Sequence, residues 1–172
     1  ASMLQAVSAA RHHVHLEYYI YEPDEIGKRL RDALVERLRA GVEVRLLVDA
    51  VGSPKLNSRA GRRFLAEFTR LGGEFAVFHP NRFDRLRPLV NLRTHRKILV
   101  CDGVVGFTGG INITEDENEE VRHDAYRDTH IRLEGPVVRW LQYVFLEDWA
   151  YAGGSKVQRA LSRELIVASE PG

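Results

Sequence analysis

Two apolar stretches rich in β-branched and aromatic residues, HVHLEYYIY (13–21) and VEVRLLVDA (42–50), flank a segment of helical periodicity. Composition of this kind predicts strands. Between them Ile26, Leu30, Ala33, Leu34 and Leu38 recur at helical spacing, Asp24 stands where an N-cap belongs, and Gly41 where the chain must leave the helix. Strand–helix–strand implies parallel pairing through a right-handed crossover. The chain is therefore expected to be α/β. A second helix, capped by Asn57 or Ser58 and closed by Gly72-Gly73, leads to a strand at FAVFHP (75–80). THIRLEG (129–135) reads as a later strand. The helix beginning at about Pro136 and ending near Tyr151 carries Val137, Trp140, Leu141, Val144 and Phe145 on one face.

The stretch that carries chemistry is THRKILVCDGVVGFTGGIN (94–112). ILVC and VVGF read as the arms of a hairpin, with Asp102-Gly103 a favoured two-residue turn. Alternation puts His95 and Lys97 on the same side of the first arm. An imidazole is a nucleophile or a general acid/base near neutral pH, and an ammonium beside it suits a phosphate oxygen. The second arm returns antiparallel and delivers Gly109, Gly110 and Asn112 to the same end. Glycine permits close approach of the backbone to a ligand, and a helix starting near Ile111 would add N–H donors for an anion. Nucleophile, cation and amide thus converge on a phosphate-sized space.

Composition adds bounds. The 172 residues suffice for one domain with a core, and the net charge of +1 gives no bulk attraction to nucleic acid. Charge is uneven instead. Six basic residues against one acid lie between Arg82 and Lys97, a stretch suited to anionic headgroups or to a solvated loop beside the site. Five acids occupy the six positions 115–120, which read as a solvated loop. A single cysteine, Cys101, excludes an internal disulfide and reads as a packing residue. Tyr18, Tyr19 and Tyr21 read as core and rim packing ahead of headgroup contacts, while the face that Glu17 shares with Tyr19 can reach the site end. His12, His13 and His15 invite a metal reading, but no cysteine or acid cluster joins them at a ligand spacing, so the sequence suggests no metal or other cofactor.

His95, Lys97, Asp102, Gly109, Gly110 and Asn112 match H-x-K-x(4)-D-x(6)-G-G-x-N. This stretch resembles the signature of the phospholipase D superfamily. LEYYIYEPDEIGKRLRDAL, GVEVRLLVDAVGS, YRDTHIRLEGPVV and FLEDWAYAGG extend the resemblance over roughly residues 10–153 to the N-terminal catalytic half of bacterial cardiolipin synthases. The resemblance implies a mixed, largely parallel sheet flanked by helices on both faces. It further implies a catalytic domain at 1–153, followed by a linker or tail at 154–172. The implied activity is phosphatidyl transfer, from phosphatidylglycerol to cardiolipin, through a phosphohistidine. His95 would be the nucleophile or its acid/base partner, with Lys97, Gly110 and Asn112 on the phosphate. Asp128 would orient the imidazole. Asp102 matches the acid of the motif but should lie at the far end of its strand, in a structural role. No other histidine is followed two residues later by lysine. A two-histidine mechanism therefore requires a second motif-bearing half or a homodimer. Implied partners are an anionic phospholipid and a membrane surface contacted peripherally, at the cytoplasmic side of an inner membrane. Alternatives within the superfamily are a phospholipase D or a single-motif nuclease. A half that binds without turnover is a third.

Overall fold

The computed structural model describes residues 2–78, 93–117 and 128–153. In chain order these form α1 (Ser2–Ala9), β1 (His13–Tyr18), α2 (Glu25–Arg39), β2 (Glu43–Asp49), α3 (Arg59–Phe64), α4 (Ala66–Arg70) and β3 (Glu74–Phe78). There follow β4 (Lys97–Cys101), β5 (Val105–Gly109), a 3-10 turn (Glu115–Glu117), β6 (His130–Glu134) and α5 (Val137–Gly153). The basic stretch of residues 82–92, the acids after Glu117 and the expected tail at 154–172 lie outside the described residues.

The strands make one sheet in the order β3-β2-β1-β4-β5-β6. β1 pairs parallel with β2, and β2 with β3, as the crossover rule requires. From β1 outward to β4, β5 and β6 every pairing is antiparallel. The α/β class and the mixed sheet are as expected. The parallel share is smaller than expected, because β5 and β6 each return beside their predecessor rather than crossing over. The turn between β4 and β5 has φ of 54° at Asp102 and 66° at Gly103, the paired positive angles of a hairpin whose twist matches its strands.

Helices cover both faces. Val14, Leu16 and Tyr18 of β1 join Val44, Leu46 and Val48 of β2 and Leu99 and Cys101 of β4 against α1, α2 and α4. On the opposite face Leu47, Ile98 and Val100 meet Val138, Phe145, Leu146 and Trp149 of α5. Asp24 caps α2 by accepting the Gly27 N–H, and Gly41 leaves the helix at φ 82°. Ser58, not Asn57, caps the next helix, which breaks at Leu65 into α3 and α4. α1 was not anticipated from the sequence; its Val7 is fully buried. No helix among the described residues is long and apolar enough to cross a membrane.

Candidate phosphate site

The residues of the motif divide between the two ends of β4. At the turn end the Asp102 carboxylate accepts the backbone N–H groups of Arg11 (2.8 Å), His12 (2.8 Å) and His13 (2.9 Å). Partial burial works to raise its pKa, but these three donors outweigh it and hold the carboxyl below the usual range. Asp102 thereby fastens the hairpin turn to the start of β1, the far end from His95.

At the other end the chain enters β4 through Thr94, His95 and Arg96. The His95 imidazole is exposed and stacks on Tyr19, with ring centroids 4.0 Å apart and planes 24° from parallel. Lys97 is buried (8% exposed); its ammonium donates to the His95 carbonyl at 3.0 Å and sits 5.5 Å over the Tyr19 ring. Tyr19 is thus a site residue that the sequence assigned to packing. It is held by its backbone. The Ser53 hydroxyl donates to the Tyr19 carbonyl at 2.9 Å, and a Cβ on Gly52 would come within 2.2 Å of that same oxygen.

Both neighbours of His95 are anchored from below. The Thr94 hydroxyl donates to Oε1 of Glu17, and the Thr94 N–H points at Asp49 Oδ2, 3.4 Å away. Arg96 donates to Asp148 of α5 at 2.6 Å. Glu17 is fully buried, and its Oε2 reaches no hydrogen-bond donor, yet the Asp148 carboxylate lies near enough to act on it. Burial first, then the Asp148 charge, push the Glu17 carboxyl up to about 8. Both effects favour the protonated, neutral form of Glu17 beneath the imidazole's flanks. Its place in HVHLEYYIY gives the only sequence signal: a carboxylate on the alternate face of a strand otherwise headed for the core.

Asn112 follows β5. Its Oδ1 accepts the Ile20 N–H at 3.1 Å, which locks the amide beside the exit of β1. Its backbone N–H and Nδ2 both donate to the carboxylate of Glu117, each at 2.6 Å. The acidic run is therefore not simply solvated, since its described part folds back on the site. No helix starts at Ile111. Ile113 instead bridges to Tyr21, and a single 3-10 turn follows.

Gly110 departs from its expected role. Its N–H donates to the Thr129 carbonyl at 2.9 Å, and a Cβ there would meet both Asp128 carboxylate oxygens at 2.0 Å. The glycine makes room for Asp128, so its N–H is spent within the fold and not held out to an anion. Asp128 itself accepts the Thr129 N–H at 2.7 Å, and no hydrogen bond joins it to His95. It acts electrostatically on His130, as do Glu117 and Lys97. His130 sits across β5 from Lys97. Burial chiefly lowers its pKa, and its Nε2 is 3.5 Å from the Tyr18 hydroxyl. The structure thus gathers His95, Lys97, Tyr19, Asn112, Glu117, Asp128 and His130 at one end of the sheet and leaves Asp102 at the other.

Residues 3–149 match the family described as Cardiolipin synthase, PLD-like domain. The chain belongs to that family. The cardiolipin synthase of Alkalihalophilus pseudofirmus is 42% identical over 178 residues, covering 100% of this chain and 34% of that protein. Cardiolipin synthase 1 of Bacillus anthracis is 43% identical over 153 residues, covering 88% of this chain and 29% of that protein. The chain thus spans about a third of the length of these curated relatives. Among solved structures, the phospholipase D family member Nuc from Salmonella typhimurium has the same fold (TM-score 0.62, 18% identity), with 87% of this chain and 86% of that chain covered. A further neighbour in fold is NucT from Helicobacter pylori (TM-score 0.59, 13% identity, 87% and 86% covered).

Proposed function

We propose that this PLD-like domain transfers a phosphatidyl group between phosphatidylglycerol molecules, with His95 taking part directly at phosphorus. The observation that supports this most is the convergence of an exposed, stacked imidazole, a buried ammonium and the Asn112 amide at one end of the sheet, in a chain 42% identical to a cardiolipin synthase. In the reaction the neutral imidazole of His95 attacks the phosphodiester phosphorus. The bond from phosphorus to the glycerol oxygen breaks, and that oxygen takes a proton from a second histidine. The hydroxyl of another phosphatidylglycerol then gives its proton back to the second histidine and attacks the phosphohistidine, so that the P–N bond breaks and cardiolipin leaves. Lys97 and Asn112 stabilise the charge on the non-bridging oxygens. Tyr19 fixes the plane of the imidazole, while Glu17, Thr94, Arg96 and Asp148 fix the backbone on either side of it.

One H-x-K motif supplies one histidine, so the second comes from another motif-bearing half or another copy of this chain. Membrane contact is peripheral in this reading, and the anionic headgroup is the ligand. The test is an assay with phosphatidylglycerol in mixed micelles without added metal, separating lipid products. Cardiolipin is the expected product, and it must disappear in His95→Ala; activity retained in that variant sinks the reading. Phosphatidic acid alone would keep the nucleophile and make the chain a hydrolase. Absence of product from folded protein would make it a half-site that requires its complement.

A further inference from the structure

Asn112 carries two donors that an anion would use, and both are occupied within the chain. Glu117 Oε2 accepts the backbone N–H and Oε1 accepts from Nδ2, each at 2.6 Å. Two oxygens of one anion bridging two fixed donors is the arrangement in which two non-bridging phosphate oxygens bind. The donors are held in place independently of Glu117, because Asn112 Oδ1 is tied to the Ile20 N–H. The turn that presents Glu117 is also anchored independently, by the Glu115 N–H donating to Asp24 Oδ2 at 2.7 Å. Neither the seat nor the arm therefore needs the Glu117–Asn112 contact in order to exist. Glu117 also acts on His130 together with Asp128 and Lys97, which puts its negative charge among the groups of the site.

We infer that Glu117 is a resident anion on the phosphate seat, and that substrate binding is an exchange in which a phosphodiester displaces the Glu117 carboxylate from Asn112. The inference rests on the reading of Asn112 as a phosphate ligand. It makes Glu117 a specificity-determining residue. Only a ligand that brings its own negative charge and two acceptor oxygens can replace what the seat loses; a neutral or singly accepting group leaves an amide donor unpaired. The charge of the site changes little in the exchange, since one oxyanion leaves as another arrives.

A loop tie and a resident anion predict opposite signs. If the contact only braces residues 112–117, weakening it loosens Asn112 and weakens anion binding. If Glu117 competes, weakening it frees the seat and tightens binding. The experiment titrates the intact chain with inorganic phosphate and follows the backbone and side-chain amide signals of Asn112 by NMR. Wild type is compared with Glu117→Gln, Glu117→Ala and Asn112→Ala. Each charged hydrogen bond removed from the competing contact is worth at least about tenfold, so Glu117→Gln and Glu117→Ala are expected to bind phosphate at least about tenfold tighter. Asn112→Ala is expected to lose binding. Equal or weaker binding in both folded Glu117 variants, with binding still lost in Asn112→Ala, overturns the inference and leaves the phosphate reading standing. Phosphate binding that Asn112→Ala does not reduce, or Asn112 signals that phosphate moves in no variant, brings down the phosphate reading as well.

Discussion

Asp102 and His95 stand at opposite ends of one strand and have opposite surroundings. Around Asp102 every contact is spent on the fold: three backbone donors meet one carboxylate, and the turn beneath it is held at positive φ. Around His95 the backbone is fastened with equal care by Glu17, Thr94, Arg96 and Asp148, but the imidazole is left exposed, with the Tyr19 ring stacked against it. The difference shows how one motif serves two purposes. Its acid fixes where the strand begins and ends, and its base is presented to whatever approaches.

The sharpest way to test that division is to change His95 itself. His95→Asn is expected to reduce transfer by at least about 10³-fold, the scale on which loss of a nucleophile is felt. It should leave unfolding stability within about 0.5 kcal/mol, as for an exposed position. A large loss of stability would mean that the stack on Tyr19 belongs to the core and that the two ends are less different than described.

Gly110→Ala probes the site end for structural content. A Cβ placed 2.0 Å from the Asp128 oxygens must move the carboxylate or the start of β6. Overpacking of this kind costs about 1–3 kcal/mol, to be read from denaturant unfolding. An unchanged midpoint would show that Asp128 yields freely and that the close approach is incidental.

Asp102→Ala removes the acceptor of three N–H groups at the turn end. Roughly 2 kcal/mol of stability should be lost, a moderate figure because the carboxylate is largely solvated. Phosphate binding by the folded fraction should not change. The pH dependence has a definite sign. The Asp102 carboxyl is depressed, so its contribution is present above the ordinary carboxylate pKa of 3.8 and is lost as pH falls through the lowered value. Folded Asp102→Ala that no longer binds phosphate would couple the two ends and break the comparison.

Glu17→Gln is the mildest test, because the amide imitates the neutral acid. The Glu17 pKa is raised from 4.5 to about 8. Its contribution to stability is therefore complete below the ordinary value and declines as pH rises to about 8. Thermal unfolding of wild type and variant across this range should diverge in favour of Glu17→Gln, and the difference should level off above it. Parallel curves would mean that Glu17 is ionised in the folded chain.

Much of this arrangement was legible in the sequence where a local rule and the global fold agreed. Asp102-Gly103 announces its turn, Asp24 and Gly41 bound α2, and the H-x-K spacing puts His95 and Lys97 together. Three features were not legible. Glu117 sits in a run of acids that reads as solvent-facing, and only a 3-10 turn brings it back to Asn112. The stack of Tyr19 on His95 is the second: alternation with Glu17 points Tyr19 toward the site end, but the partner ring depends on β1 pairing with β4, which no local pattern encodes. Gly110 was read as room for a ligand, but the space is filled by Asp128, a residue from a later strand that the sequence does not bring near.

The spacing of the motif is also a length gauge. Asp102 is fastened at the start of β1, and Lys97 pairs with Tyr18 at its end, so β1 and β4 measure each other across the sheet. One residue inserted into either would turn every side chain beyond it to the opposite face. Lys97 would then point toward α5, and the tie at Asp102 would fall out of step. Insertions can be absorbed in the loops on either side of this pair, but not between its two fastened ends. A lineage of such chains is thus free to vary in loop length and bound to keep the interval from lysine to aspartate.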